Sequence, residues 1–132
     1  MILPNGALVA VADGESLRLF HNDGHEGGVS LSALATPQLA SGNVGGSHHS
    51  SAANPDDKTQ AEDGYAAASA AWLNRLALEG QISSLVVIAA PRALGELRKH
   101  YHKALEAVLK GELSKDLAGH SMADIQAAIA AA

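Results

Sequence analysis

An α/β fold built on one mixed five-stranded sheet is what this chain predicts. Three short strand-like runs, separated by turn residues, open it. A helical stripe follows a long polar connection, and the run ISSLVVIAA at 82–90 is apolar on both faces. Such a run suits a central strand covered by helices.

The first strand is expected over 6–12 (GALVAVA) and the second over 15–21 (ESLRLFH), where Leu17 and Leu19 share one face and Arg18 and Phe20 the other. Asp13-Gly14 between them is a favoured two-residue type I′ hairpin signal. His21-Asn22-Asp23-Gly24 marks the next turn, and a third strand is expected over 28–35, with Val29 and Leu31 inward and Ala33 or Leu34 joining them. Residues 36–58 then hold almost no large apolar groups. A connection of that length is either functional or disordered.

Thr59-Gln60-Ala61-Glu62 has the spacing of a capping box. Behind it Tyr65, Ala68, Trp72 and Leu76 recur at helical spacing, and Gly80 is the natural stop. After the central strand, Pro91 can occupy a first helical turn without losing a needed N–H. One helix is expected over 92–110, with Leu94, Leu97, Tyr101, Leu105 and Val108 on one face and Gly111 at its end. Residues 112–118 (ELSKDLA) read as a charged edge strand, with Leu113 and Leu117 on one face. Ser121 caps a last helix carrying Met122, Ile125 and Ile129. The order is a three-stranded antiparallel meander, then α-β-α-β-α, with helices packed on the sheet. This is the ribonuclease-H-like topology, with sheet order 3-2-1-4-5.

The 132 residues are expected to form a single domain, 1–132, with a Gly/Ser-rich loop at about 36–58. Apolar residues make up 47% of the chain, but alanine supplies many of them, so the core should be thin and its elements closely spaced. The net charge of −5 offers no global attraction to nucleic acid or an anionic membrane. The chain has no cysteine, which excludes disulfides, thiol catalysis and thiolate zinc sites. The opening residues lack a basic n-region and no segment approaches a membrane span, so a soluble, unprocessed, cytoplasmic protein is expected.

The junction APRALGELR at 90–98, taken with the opening VAVADGESLRLF and the late ELSKDLAGHS, resembles the bacterial host-attachment protein family. The likeness spans nearly the whole chain and implies an intracellular α/β domain named for a phenotype rather than a reaction. More distantly, the chain is similar to the middle domain of archaeal and eukaryotic class 1 peptide-chain release factors. There a meander leads into a loop whose Gly-Gly-Gln tripeptide enters the peptidyl-transferase centre. The corresponding stretch here, SGNVGGSHHS at 41–50, offers Gly45-Gly46-Ser47. The glycine pair is present and the glutamine is not, so peptidyl-tRNA hydrolysis does not carry over.

Candidate sites divide between that loop and the helix after Pro91. Gly45 and Gly46 would let backbone approach a ligand closely or form an anion-binding nest. No Lys-Ser/Thr follows them, so this is not a Walker A loop, and no cofactor motif is present. Adjacent His48 and His49 point apart and lack a partner histidine at ligand spacing, so no metal site is assigned. Ser47-His48 with Asp56 or Asp57 lacks the rigid elbow that a nucleophilic triad needs. The helix over 92–110 carries Arg92, Arg98, Lys99, Lys103 and Lys110, five of the nine basic residues. Helical spacing places Arg98 over His102 and Lys99 over Lys103, a local basic face for phosphate, RNA or an acidic partner. Arg92 stands where the central strand ends, and Asp13 would neighbour it if those strands pair in parallel. His120, with Lys115 and Asp116, matches the tail of the attachment family.

The expected function is a non-enzymatic binding domain engaging an unidentified protein, ribosome or RNA partner through Arg92, Arg98, Lys99, His102, Asp13 and the glycine loop. A release-factor-like action on the ribosome or peptidyl-tRNA competes with it, and a structural homodimer is a third reading. Ribonuclease-H chemistry needs several carboxylates holding divalent metal on the sheet, and the first three strands offer only Asp13 and Glu15, at a turn.

Overall fold

Strand β1 (Leu8–Ala12) and strand β4 (Leu85–Ala89) are buried along their whole length, which makes them the centre of the sheet. A computed structural model of the chain describes residues 1–26, 28–39 and 55–132, leaving the side chains of 55 and 56 aside. Its remaining elements are β2 (Leu17–Asn22), β3 (Leu31–Leu34), α1 (Pro55–Leu78), α2 (Pro91–Arg98), α3 (Lys103–Val108), β5 (Leu109–Ser114) and α4 (Met122–Ala131). The sheet order is β3-β2-β1-β4-β5, as expected. Strands β1, β2 and β3 form the antiparallel meander, while β4 runs parallel to β1 and β5 parallel to β4.

Both parallel connections step the same way across the sheet, and the right-handed crossover rule sends their helices to one face. Accordingly α1, α2 and α3 pack there through Ala66, Ala70, Leu73, Leu94, Leu97 and Leu105 onto Leu17, Leu19, Val87 and their neighbours. The opposite face receives α4, whose Ile125 and Ile129 meet Val9, Val11, Phe20, Val86 and Ile88. Alanines at the α1 contact let that helix approach the sheet closely. Tyr65, Trp72 and Leu76 flank this contact half-buried, so the buried stripe is centred one position beyond the expected one.

Several boundaries differ from expectation, each for a local reason. The first hairpin turns one residue later than expected, with Gly14-Glu15 at its tip. Ala12 pairs with Leu17, the Asp13 amide donates to the Ser16 carbonyl at 3.0 Å, and Asp13 Oδ1 accepts from the Glu15 and Ser16 amides at 2.8 and 2.7 Å. Gly14 is needed there for space: a Cβ would lie 2.5 Å from the Glu62 Cβ. Helix α1 starts at Pro55, so Thr59 to Glu62 lies inside the helix rather than capping it. At its far end Gly80 takes a φ of +73°, and the Gln81 amide donates to the Leu76 carbonyl at 2.9 Å, a Schellman stop.

The helix expected over 92–110 is two helices. Asn74 on α1 stitches the break: its Nδ2 donates to the His100 carbonyl at 2.8 Å, and its Oδ1 accepts from the His102 amide at 2.9 Å. His102 then caps α3, its Nδ1 accepting from the Ala104 amide. Strand β5 begins at Leu109 because that residue pairs with Leu85, and a register shift follows before Val86 meets Gly111. Gly111 therefore lies within a strand and ends no helix. Residues 115–121 follow β5 as a loop, with Arg18 Nη1 donating to the carbonyls of Ala118 and His120 at 3.0 and 2.6 Å. Leu113 and Leu117 still share a face, packed on the α4 side. Ser121 caps α4 as expected, accepting from the Asp124 amide.

Asn22 is the most connected buried polar side chain on the meander. Its Nδ2 donates to the carbonyls of Leu3, Pro4 and Gly28, and its Oδ1 accepts from the amides of Gly24 and Ser30. At the outer strand, the Leu31 amide donates to Gln126 Oε1 on α4 at 2.7 Å. No helix among the described residues is long and apolar enough to cross a membrane.

Candidate functional site

The parallel pairing of β1 with β4 brings Asp13 and Ala90-Pro91-Arg92 to the same end of the sheet, where ligands of open α/β sheets gather. A cleft of about 190 Å³ opens there, lined by Asp13, Glu62, Asp63, Arg92, Glu96 and Asp116 with small residues between them. Strand β1 delivers Asp13, α1 delivers Glu62 and Asp63, α2 delivers Arg92 and Glu96, and the loop after β5 delivers Asp116. Pro91 sets the backbone for α2, so Arg92 leaves the first helical turn over the cleft.

Arg92 is already engaged. Its Nη2 donates to Asp63 Oδ1 at 2.7 Å, and Glu62 Oε1 lies 3.7 Å from its Nη1. The guanidinium nevertheless keeps 57% of its side-chain surface exposed. Asp13 serves the turn with one carboxylate oxygen and edges the cleft as well. Five carboxylates surround one arginine, so the cleft is acidic where a basic site was expected. Among the described residues its lining holds no serine, threonine, cysteine or histidine to form a nucleophile-base pair. No group of three or more His, Cys, Asp or Glu among the described residues is placed to hold a metal ion.

The basic helix face does not form. The break after Arg98 separates it from His102, and Lys99 from Lys103. Arg98 instead clamps Glu112 on β5 through Nε and Nη2, at 3.0 and 2.7 Å to Oε1. Lys99 Nζ donates to Glu96 Oε1 at 3.0 Å and holds that carboxyl below the usual carboxylate range, with His100 helping. His102 is a helix cap. Of the expected binding residues, the structure gathers Asp13 and Arg92 in one cleft and disperses Arg98, Lys99 and His102 into fold-supporting contacts. Gly45, Gly46 and Ser47 lie outside the described residues, as do His48 and His49. Glu62, Asp63 and Glu96 carry no site signal in the sequence, apart from the place of Asp63 early in a helix that must return over the β1 end.

Beside Arg98, the Tyr101 hydroxyl donates to Glu112 Oε2 at 3.0 Å. Burial first, and then the adjacent carboxylate, push the Tyr101 hydroxyl well above its ordinary value. The folded protein thus keeps a proton that the unfolded chain releases near pH ~10. Stability is complete below that pH and declines as pH rises toward the raised value. Tyr101→Phe is expected to remove this part of the alkaline decline in melting temperature. An unchanged slope above about pH 10 would contradict the assignment.

The family model described as bacterial archaeo-eukaryotic release factor family 12 matches residues 6–129, nearly the whole chain. A comparison with curated proteins returned no match.

Proposed function

The chain belongs to bacterial archaeo-eukaryotic release factor family 12, and we propose that it works in the cytoplasm as a ribosome-binding protein that does not hydrolyse peptidyl-tRNA. The family match over residues 6–129 carries this reading. The residue in the glutamine position supports its non-hydrolytic half: Ser47 follows Gly45-Gly46, and a serine lacks the amide of the release-factor tripeptide. Arg92 is the side chain we assign to the contact: more than half of its surface stays exposed while it holds Asp63, so it can meet a phosphate on its outer side, away from the carboxylates that line the cleft. Attachment to a host, the trait of the other family this chain resembles, would follow indirectly from an effect on translation.

Co-sedimentation with ribosomes tests the reading. The wild type is expected to pellet with ribosomes at low salt and to dissociate as salt rises, because phosphate contacts release counterions. Arg92→Ala is expected to weaken binding by about tenfold, the worth of one hydrogen bond to a charged group. Peptidyl-tRNA incubated with the complex should stay intact. A protein that remains in the light fractions at low salt rules out the ribosomal role, and release of the peptide rules out the non-hydrolytic one.

A further inference from the structure

A second cavity, of about 290 Å³, lies at the other end of the sheet, remote from Arg92. Helix α1 supplies one wall through Trp72 and Leu76, and Leu19 and Leu34 of β2 and β3 supply the other. Leu34 keeps 43% exposure, since no helix among the described residues covers it. Two polar side chains close the end of the groove, His21 and Gln81.

Each polar group has one N–H engaged by a neighbouring carboxylate. In the neutral ring, His21 Nδ1–H donates to Asp23 Oδ1 at 2.7 Å, which leaves Nε2 as an acceptor. Gln81 Nε2 donates to Glu79 Oε1 at 2.8 Å, which leaves its carbonyl oxygen as the second acceptor. A Ser32 hydroxyl and then His21 hold the Asp23 carboxyl below its usual range, so the rim stays anionic. Among the described residues neither lysine nor arginine lines the cavity. An apolar slot with an aromatic wall, two acceptors and an acidic rim has a complement of definite chemistry.

We infer that this groove is a binding site for a flat apolar molecule with a cationic N–H donor head, an aromatic amidine or a benzylic amine. The ring would lie between Trp72 and Leu34. Its N–H groups would donate to His21 Nε2 and Gln81 Oε1, beside the Asp23 and Glu79 carboxylates. Trp72 adds attraction for a cation near its face. Phosphorylated and carboxylated ligands are excluded by the rim charge. This assignment is independent of the ribosomal reading.

Trp72 is the only tryptophan, so its indole N–H gives one resonance in a nitrogen-proton correlation spectrum. Benzamidine, benzamide and benzoate share one shape and carry positive, zero and negative charge. A saturable shift of the Trp72 resonance is expected with benzamidine, about tenfold weaker binding with benzamide, and none with benzoate. The factor is that of one charge-assisted hydrogen bond. Leu34→Arg, at a site exposed enough to leave the melting temperature near wild type, should abolish benzamidine binding. His21→Leu should reduce it by about tenfold for the same lost bond. The inference is overturned by no saturable shift, by equal binding of any two of the three probes, or by full benzamidine binding in either variant.

Discussion

Asn22→Leu is expected to lower the unfolding free energy by about 2–6 kcal/mol, since it strands at least two amides at about 1–3 kcal/mol each. The leucine keeps the branching of the asparagine but supplies neither the acceptor for the Gly24 and Ser30 amides nor the donor for the three carbonyls. Asn22 is fully buried, so water cannot replace those bonds without opening the β2–β3 loop. Asn22→Asp separates the two halves of the effect: it keeps the acceptor and turns a carboxylate toward three carbonyls. Urea unfolding measures both. A midpoint for Asn22→Leu close to wild type would mean that the loop rearranges without cost, and would refute the role given to this side chain. Against a typical total of about 5–15 kcal/mol, the upper end of the range removes a large fraction of the stability.

Leu97→Ala is expected to cost about 2–5 kcal/mol, the range for a buried leucine that leaves a cavity. Leu97 is fully buried under α2 and shares its cluster with Leu94 and Leu105, so it joins both halves of the broken helix to the sheet. Leu78→Ala, where the side chain is 58% exposed, is the control and should change stability by less than about 0.5 kcal/mol. Thermal or denaturant melts of the two variants should differ clearly. Equal costs would show that the α2 contact contributes nothing beyond generic apolar content.

Much of this architecture is legible in the chain because its signals are local. Alternation along 17–20, the apolar run around 85–89, Gly80 and Ser121 each act within a few residues, and the strand order follows from the element order with the crossover rule. The break after Arg98 is not local. It depends on Asn74, a residue on another helix, and no periodicity in 92–110 announces it. The boundary of β5 is similar: nothing near Leu109 marks a strand start, because pairing with Leu85 decides it.

The candidate site was legible to the same extent. Asp13 and Arg92 meet because parallel pairing brings two strand ends together, and that topology could be deduced. The acidic surroundings of Arg92 could not, since Glu62 and Asp63 read as an ordinary polar helix face until the helix is laid over the β1 turn. The basic helix face failed for the reason the helix itself broke. Charges counted on an ideal helix assume an unbroken one.

The bond from the Leu31 amide to Gln126 has a consequence for association between copies. Among the described residues strand β3 ends the sheet, and an unpaired edge is a template for another chain. It carries no charge and no proline, the usual deterrents. A side chain from α4 occupies its first free donor instead, so a foreign strand must displace Gln126 before it can begin to zip. The last helix thereby acts as a lock on the first open edge of the sheet, and loosening α4 exposes a polymerisation surface without altering any residue of β3.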